Sequence, residues 1–162
     1  EQEKVVEIKK KNIDDRSYRS NIVEDVYYST KDINGNEYII TASIGEIDYK
    51  QNDVIFLTDV RALVKLNMND IIEISSKHGK YNSSNSDTIF SKNVIISYLK
   101  NKISGEYVDF SMERNSMIIS KKVVYTNFEN ILEADVIEIN IKTKDTKIFM
   151  HSNEKKVSIK NK

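Results

Sequence analysis

Six aspartates, Asp48, Asp53, Asp59, Asp87, Asp109 and Asp145, recur along the chain, and as a set they are the residues best suited to chemistry. Carboxylates held in pairs, one protonated and one ionised, are the machinery of glycoside cleavage, so a carbohydrate-active β-helix enzyme is one reading of them. Turn chemistry explains them more simply. Asp53, Asp87 and Asp145 fall in polar clusters, where aspartate bonds to its own local backbone. His78 and His151 have no partners at metal-ligand spacing, and there is no cysteine, so thiolate, disulfide and iron–sulfur chemistry are excluded and no metal or other cofactor is expected. The glycines at 35, 45, 79 and 105 are isolated and build neither a phosphate-binding loop nor a nucleophile elbow. Tyr27 and Tyr28 could stack sugars or bases, but tyrosine within an alternating run is usually packing. The chain therefore reads as non-enzymatic.

The charge balance narrows the partners. Twenty-five Lys and Arg stand against 25 Asp and Glu in 162 residues, without the basic surplus that neutralises phosphates, so no nucleic-acid partner is expected. The longest apolar run is Val54-Ile55-Phe56-Leu57, far short of the roughly 20 residues that span a bilayer. The elements that must position any site are strands. The 24 Ile and 13 Val outnumber 5 Leu and 3 Ala, a bias toward β-branched residues that favours sheets over helices. Period-two runs include Tyr38, Ile40, Ala42 and Ile44, and later Val60, Ala62, Val64 and Leu66. Polar clusters at Asn34–Asn36, Lys50–Asp53, Asn82–Asp87 and Lys142–Asp145 read as turns, and no proline interrupts any run. Residues 1–20 read as a charged tether and residues 21–162 as one β domain.

The chain also repeats. A shift of 34 aligns Ala42 with Ser76, Gly45 with Gly79, Asp53 with Asp87, Phe56 with Phe90 and Val60 with Val94; a shift of 92 aligns Ala42 with Ala134 and Asp53 with Asp145. Each unit is two strands and a turn, and stacked units must share one interior. Alternation assigns Ile40, Ala42, Ile47, Tyr49, Val54, Phe56 and Val60 to that interior, with Ile55 outside. It then assigns Ile72, Ile74, Tyr81, Phe90, Val94 and Ile96; Val108, Phe110 and Met117; and Leu132, Ile139, Ile148 and Met150. Asp48, Asn82, Asp109, Asn140 and Lys147 go to the opposite face. Gly45 and Gly79 mark either a bend that needs freedom from Cβ or an ordinary turn.

The run Asp32-Ile33-Asn34-Gly35-Asn36-Glu37-Tyr38-Ile39-Ile40-Thr41-Ala42, then Ile47-Asp48-Tyr49 and Val54 to Val60, resembles the D-x-x-G-x-x-Y-x-(I/L)-x-A opening, turn and I-x-L-x-x-V strand of the LptC family of lipopolysaccharide-transport proteins. The stretch Ala134 to Met150 is similar to that family's closing L-x-A-D-x-(I/L)-x-(I/L) unit. The likeness spans roughly Asn21 to Ile159, and bridge proteins of the LptA and OstA-like type share the repeat. It implies an elongated, twisted β-jellyroll open along one side, in the periplasm, held to the inner membrane by an N-terminal helix removed from this chain. It further implies a carrier that accepts lipopolysaccharide from an ATP-driven inner-membrane exporter and passes it to an LptA-like bridge protein. The interior row would then be an apolar trough for acyl chains. The terminal strands near Val26 and Tyr28 and near Val157 and Ile159 would be edges for strand addition to partners. The rival reading is a structural or interaction module whose same row is a closed, dry core, since alternation is identical in the two cases.

Overall fold

The computed structural model describes residues 4–5, 21–66, 69–152 and 156–161; most of the charged tether lies outside them. The strands are β1 (Lys4–Val5), β2 (Ile22–Lys31), β3 (Glu37–Ile47), β4 (Val54–Lys65), β5 (Ile71–Asn82), β6 (Thr88–Tyr98), β7 (Asn101–Ser111), β8 (Ser116–Thr126), β9 (Asn130–Asn140), β10 (Thr146–Phe149) and β11 (Ser158–Asn161). They form one open antiparallel sheet in chain order from β1 to β10, with β11 added to β9. The all-β architecture of repeated two-strand units is therefore the one the sequence predicts, and no helix occurs among the described residues.

Turn residues act as their chemistry dictates. Asp32 Oδ1 accepts from the backbone N–H groups of Asn34 and Asn36, and Gly35 takes the left-handed conformation at φ 83°, which accounts for the D-x-x-G spacing. Asp48, Asn82 and Asn140 occupy equivalent sites at the other turns. Each accepts from the backbone two residues on, so they are turn caps and not members of an outward face.

The strands are not straight. Asp25, Asp59, Lys92, Asn93, Lys121 and Lys122, in the middle of β2, β4, β6 and β8, all have positive φ between 52° and 66°. Each group directly precedes a buried valine: Val26, Val60, Val94 or Val123. The odd strands bend opposite them, around Ser43, Lys77, Glu106 and Asp135, and the ladder shifts register at these points from β5 to β9. The bends align into one crease that divides the sheet into two leaves. Leaf A holds the later halves of the even strands and the earlier halves of the odd ones; leaf B holds the rest and β10. Polar residues pave the outside of the crease, where Lys77 Nζ reaches Asp59 Oδ1 at 2.7 Å and Ser43 Oγ donates to Asp59 Oδ2.

Inside, the crease is lined alternately by valine and a small residue: Val26, Ala42, Val60, Ser76, Val94, Gly105, Val123 and Ala134, read across successive strands. Small side chains on the odd strands let the leaves close on the valines. Gly45 and Gly79 serve the same end. Neither has positive φ, and neither lies in a turn; a Cβ on Gly45 would stand 2.8 Å from Val26 Cγ2, and one on Gly79 3.1 Å from Val60 Cγ2. Space rather than backbone freedom is what favours glycine there, more strictly at Gly45 than at Gly79. Gly45→Ala is accordingly expected to cost about 1–3 kcal/mol in urea unfolding through overpacking. Combining it with Val26→Ala should cost less than the sum of the single changes; strict additivity would refute the contact.

The leaves face each other. Tyr38 of leaf A shares a 2.7 Å hydrogen bond with Thr88 of leaf B and lies 4.8 Å, ring to ring, from Phe110; Tyr28 and Tyr81 meet at 5.0 Å. Burial pushes the Tyr38 phenol well above its ordinary value.

Candidate functional site

Contacts between the leaves are staggered. β2 of leaf A meets β5 of leaf B, β3 meets β6 and β7, and β6 meets the turn between β9 and β10. That offset leaves the inward side chains of β7, β8 and β9 in leaf A with only the last strands of leaf B opposite them. There the interior opens into a cavity of about 360 Å³. Leaf A contributes Ile72, Ile96, Ile103, Tyr125 and Leu132, and leaf B contributes Met117, Ile137, Ile139 and Ile148, with Ile141 from the turn that follows β9.

The mouth is polar. Tyr98 and Asn101, at the two ends of the β6–β7 hairpin, border it along with Lys144 and Thr146. Lys144 Nζ sits 4.9 Å from the Tyr98 ring centroid, Tyr98 donates its hydroxyl to Asp70 Oδ2 at 3.0 Å, and Tyr125 donates to Asn101 Oδ1 at 2.8 Å. Partial burial holds the Lys144 amine below its ordinary value, with Asp70 acting in the opposite sense. The Tyr98 phenol is raised, first by its hydrogen bond to Asp70.

The residues expected along the interior separate into three groups. Ile40, Ala42, Val54, Val60, Ile74, Tyr81, Phe90, Val94, Val108, Phe110 and Met117 are buried, while Ile47, Ile139 and Met150 pack at the margin of the core. Tyr49 and Phe56 are not inside: Tyr49 is 69% exposed in the turn after β3, and Phe56 is 45% exposed beside Glu46 and Lys80. Ile55, assigned to the outside, is 4% exposed. The cause is Asp59. Its left-handed backbone places two outward residues, Thr58 and Asp59, between Leu57 and Val60, so the parity that holds after the bend is reversed before it. Ile148 is partly exposed because it stands at the cavity's opening.

Of the expected row, Met117, Ile139 and Ile148 line the cavity, with Ile72, Ile96 and Leu132. Lys144, Tyr98, Asn101, Tyr125 and Ile137 were not foreseen. The polar doublets Lys92-Asn93 and Lys121-Lys122 within apolar runs signal the crease but not these lining residues.

At the edges, Val26 is buried, Tyr28 is half-buried against Tyr81, and β1 pairs with β2 at Ser29 and Thr30. Val157 packs on the core and Ile159 is exposed on β11; β10, with Ile148 and Phe149 partly exposed, is a further edge. The recurrent acids do not converge. Asp87 and Asp109 approach one another across Arg114, which ion-pairs with both, while Asp48 and Asp53 open and close the β3–β4 turn and Asp145 sits at the β9–β10 turn. His78 lies within β5, and His151 donates its backbone N–H to Asp135. The chain matches no model of a known protein family and no curated protein.

Proposed function

We propose that this protein is a periplasmic lipid carrier of the lipopolysaccharide-transport type, which takes its cargo from an inner-membrane exporter and passes it to a bridge protein through its edge strands. The observation that carries this reading is the open, mainly apolar cavity between the leaves, walled by Ile, Leu and Met with Tyr125 and with polar residues at its mouth. A dry structural module has no need of it. At roughly 30 Å³ for a water-sized group, the cavity takes about a dozen methylenes. That is one acyl chain, worth on the order of 10 kcal/mol of gross transfer free energy before ordering costs. Further chains of a multi-chain lipid would lie along Ile148 and Phe149 at the edge. The closed half, around Tyr38 and Phe110, would serve as the rigid wall.

The test is photocrosslinking of lipopolysaccharide to the purified domain with a photoreactive residue at Ile139, and separately at Phe56 on the outer face of leaf B. Label at Ile139 alone is the expected result. Label at neither position, with the β circular-dichroism signal intact, overturns the carrier reading in favour of a structural module.

A further inference from the structure

We propose that the cavity selects amphiphiles with an anionic headgroup, phosphate or carboxylate, held at its mouth by Lys144. The inference rests on the carrier reading and specifies its ligand. Lys144 is the one charged residue among the described residues that line the cavity. Its backbone is fixed: φ is 66°, its N–H donates to Asn140 O at 2.8 Å, and Asn140 Oδ1 accepts from the N–H groups of Lys142 and Thr143. That turn sets the side chain over the Tyr98 ring at the rim, where it stays exposed to solvent.

Among the described residues no carboxylate forms an ion pair within 4 Å of its ammonium; Asp70, which accepts from the Tyr98 hydroxyl, acts on it from farther away. A cation held at the rim of an apolar cavity with no carboxylate in ion-pair contact gains from an anion brought to it. Asn101 adds a second donor. Its Oδ1 is taken by Tyr125, which leaves the amide N–H groups for an acceptor at the same rim. An acyl chain seated among Ile137, Ile139 and Leu132 would place its head between these two residues.

Calorimetric titration of the whole protein with twelve-carbon probes below their micellar concentrations tests this: dodecyl phosphate, dodecanoate and dodecanol. The two anions are expected to bind at least about tenfold more tightly than the alcohol, the scale of a charge-assisted hydrogen bond. In Lys144→Gln the ratio of anion to alcohol affinity should fall to about one, while Lys144→Arg and the exposed control Lys100→Gln should keep it. Excess inorganic phosphate that fails to compete identifies a lipid headgroup as the source of the anion; full competition by phosphate overturns the headgroup role. If the alcohol and the anions bind equally, the headgroup inference fails and the carrier reading stands. If no probe binds, the carrier reading itself falls, and this inference with it.

Discussion

Leu57→Glu should leave the protein unfolded or destabilised by about 4 kcal/mol or more, while Phe56→Glu, one residue away, should cost less than about 1 kcal/mol. Leu57 is 2% exposed and lies in register between Gly45 and Gly79, filling the space those two residues leave free beside the crease. A carboxylate there would be buried with no donor in reach. It would have to take up a proton or draw water into the packing beneath Val26 and Val60. Phe56 projects outward between Glu46 and Lys80, where a glutamate meets solvent. Urea unfolding of the two variants decides the point: equal losses, or a larger loss at Phe56, would mean that the bend at Asp59 does not reverse the faces.

Phe110→Ala is expected to remove about 3–5 kcal/mol. For a chain of this size that lowers the melting temperature by roughly 6–20 °C. Phe110 is fully buried, and its ring supports Tyr38 from the opposite leaf. Truncation would open a void where the leaves meet and free the Tyr38 ring, whose hydroxyl is committed to Thr88. The apolar residue Phe128 lies exposed in the turn between β8 and β9, so Phe128→Ala should change the melting temperature little. A loss below about 1 kcal/mol at Phe110 would show that contact between the leaves does not carry the fold.

Strand content, turns and repeat were legible because they depend on local chemistry: β-branched residues at period two, and Asp or Asn capping at Asp32, Asp48, Asn82 and Asn140. Within one unbroken run alternation also identified the buried face, as at Ile40 with Ala42 and at Ile72 with Ile74. It failed at Phe56 because a left-handed residue such as Asp59 adds an outward position, and the reading carried one parity through it. The row of Val26, Ala42, Val60, Ser76, Val94 and Gly105 was visible only in part, as the alignment of Ala42 with Ser76 and of Val60 with Val94. Its meaning, small against valine along a fold line, depends on neighbours across the sheet. The cavity was illegible for a similar reason. Its walls follow from the stagger between the leaves, and Lys144 reaches Tyr98 across 46 positions of sequence.

Because β1 through β10 pair in chain order, the molecule has a natural order of assembly. From β2 to β10 each hairpin closes over a short loop, so the entropy of closure stays small and this part of the chain can zip strand upon strand without waiting for distant segments. Unzipping runs in reverse, from the ends where a strand has one neighbour. The four-residue β10 is such an end, and it forms one wall of the cavity. Amide hydrogens of β10 should therefore exchange well before those of β4 to β6. The apolar cavity is thus completed late and loosened first, so a bound molecule could enter or leave by fraying a single short strand while the rest of the sheet stays intact.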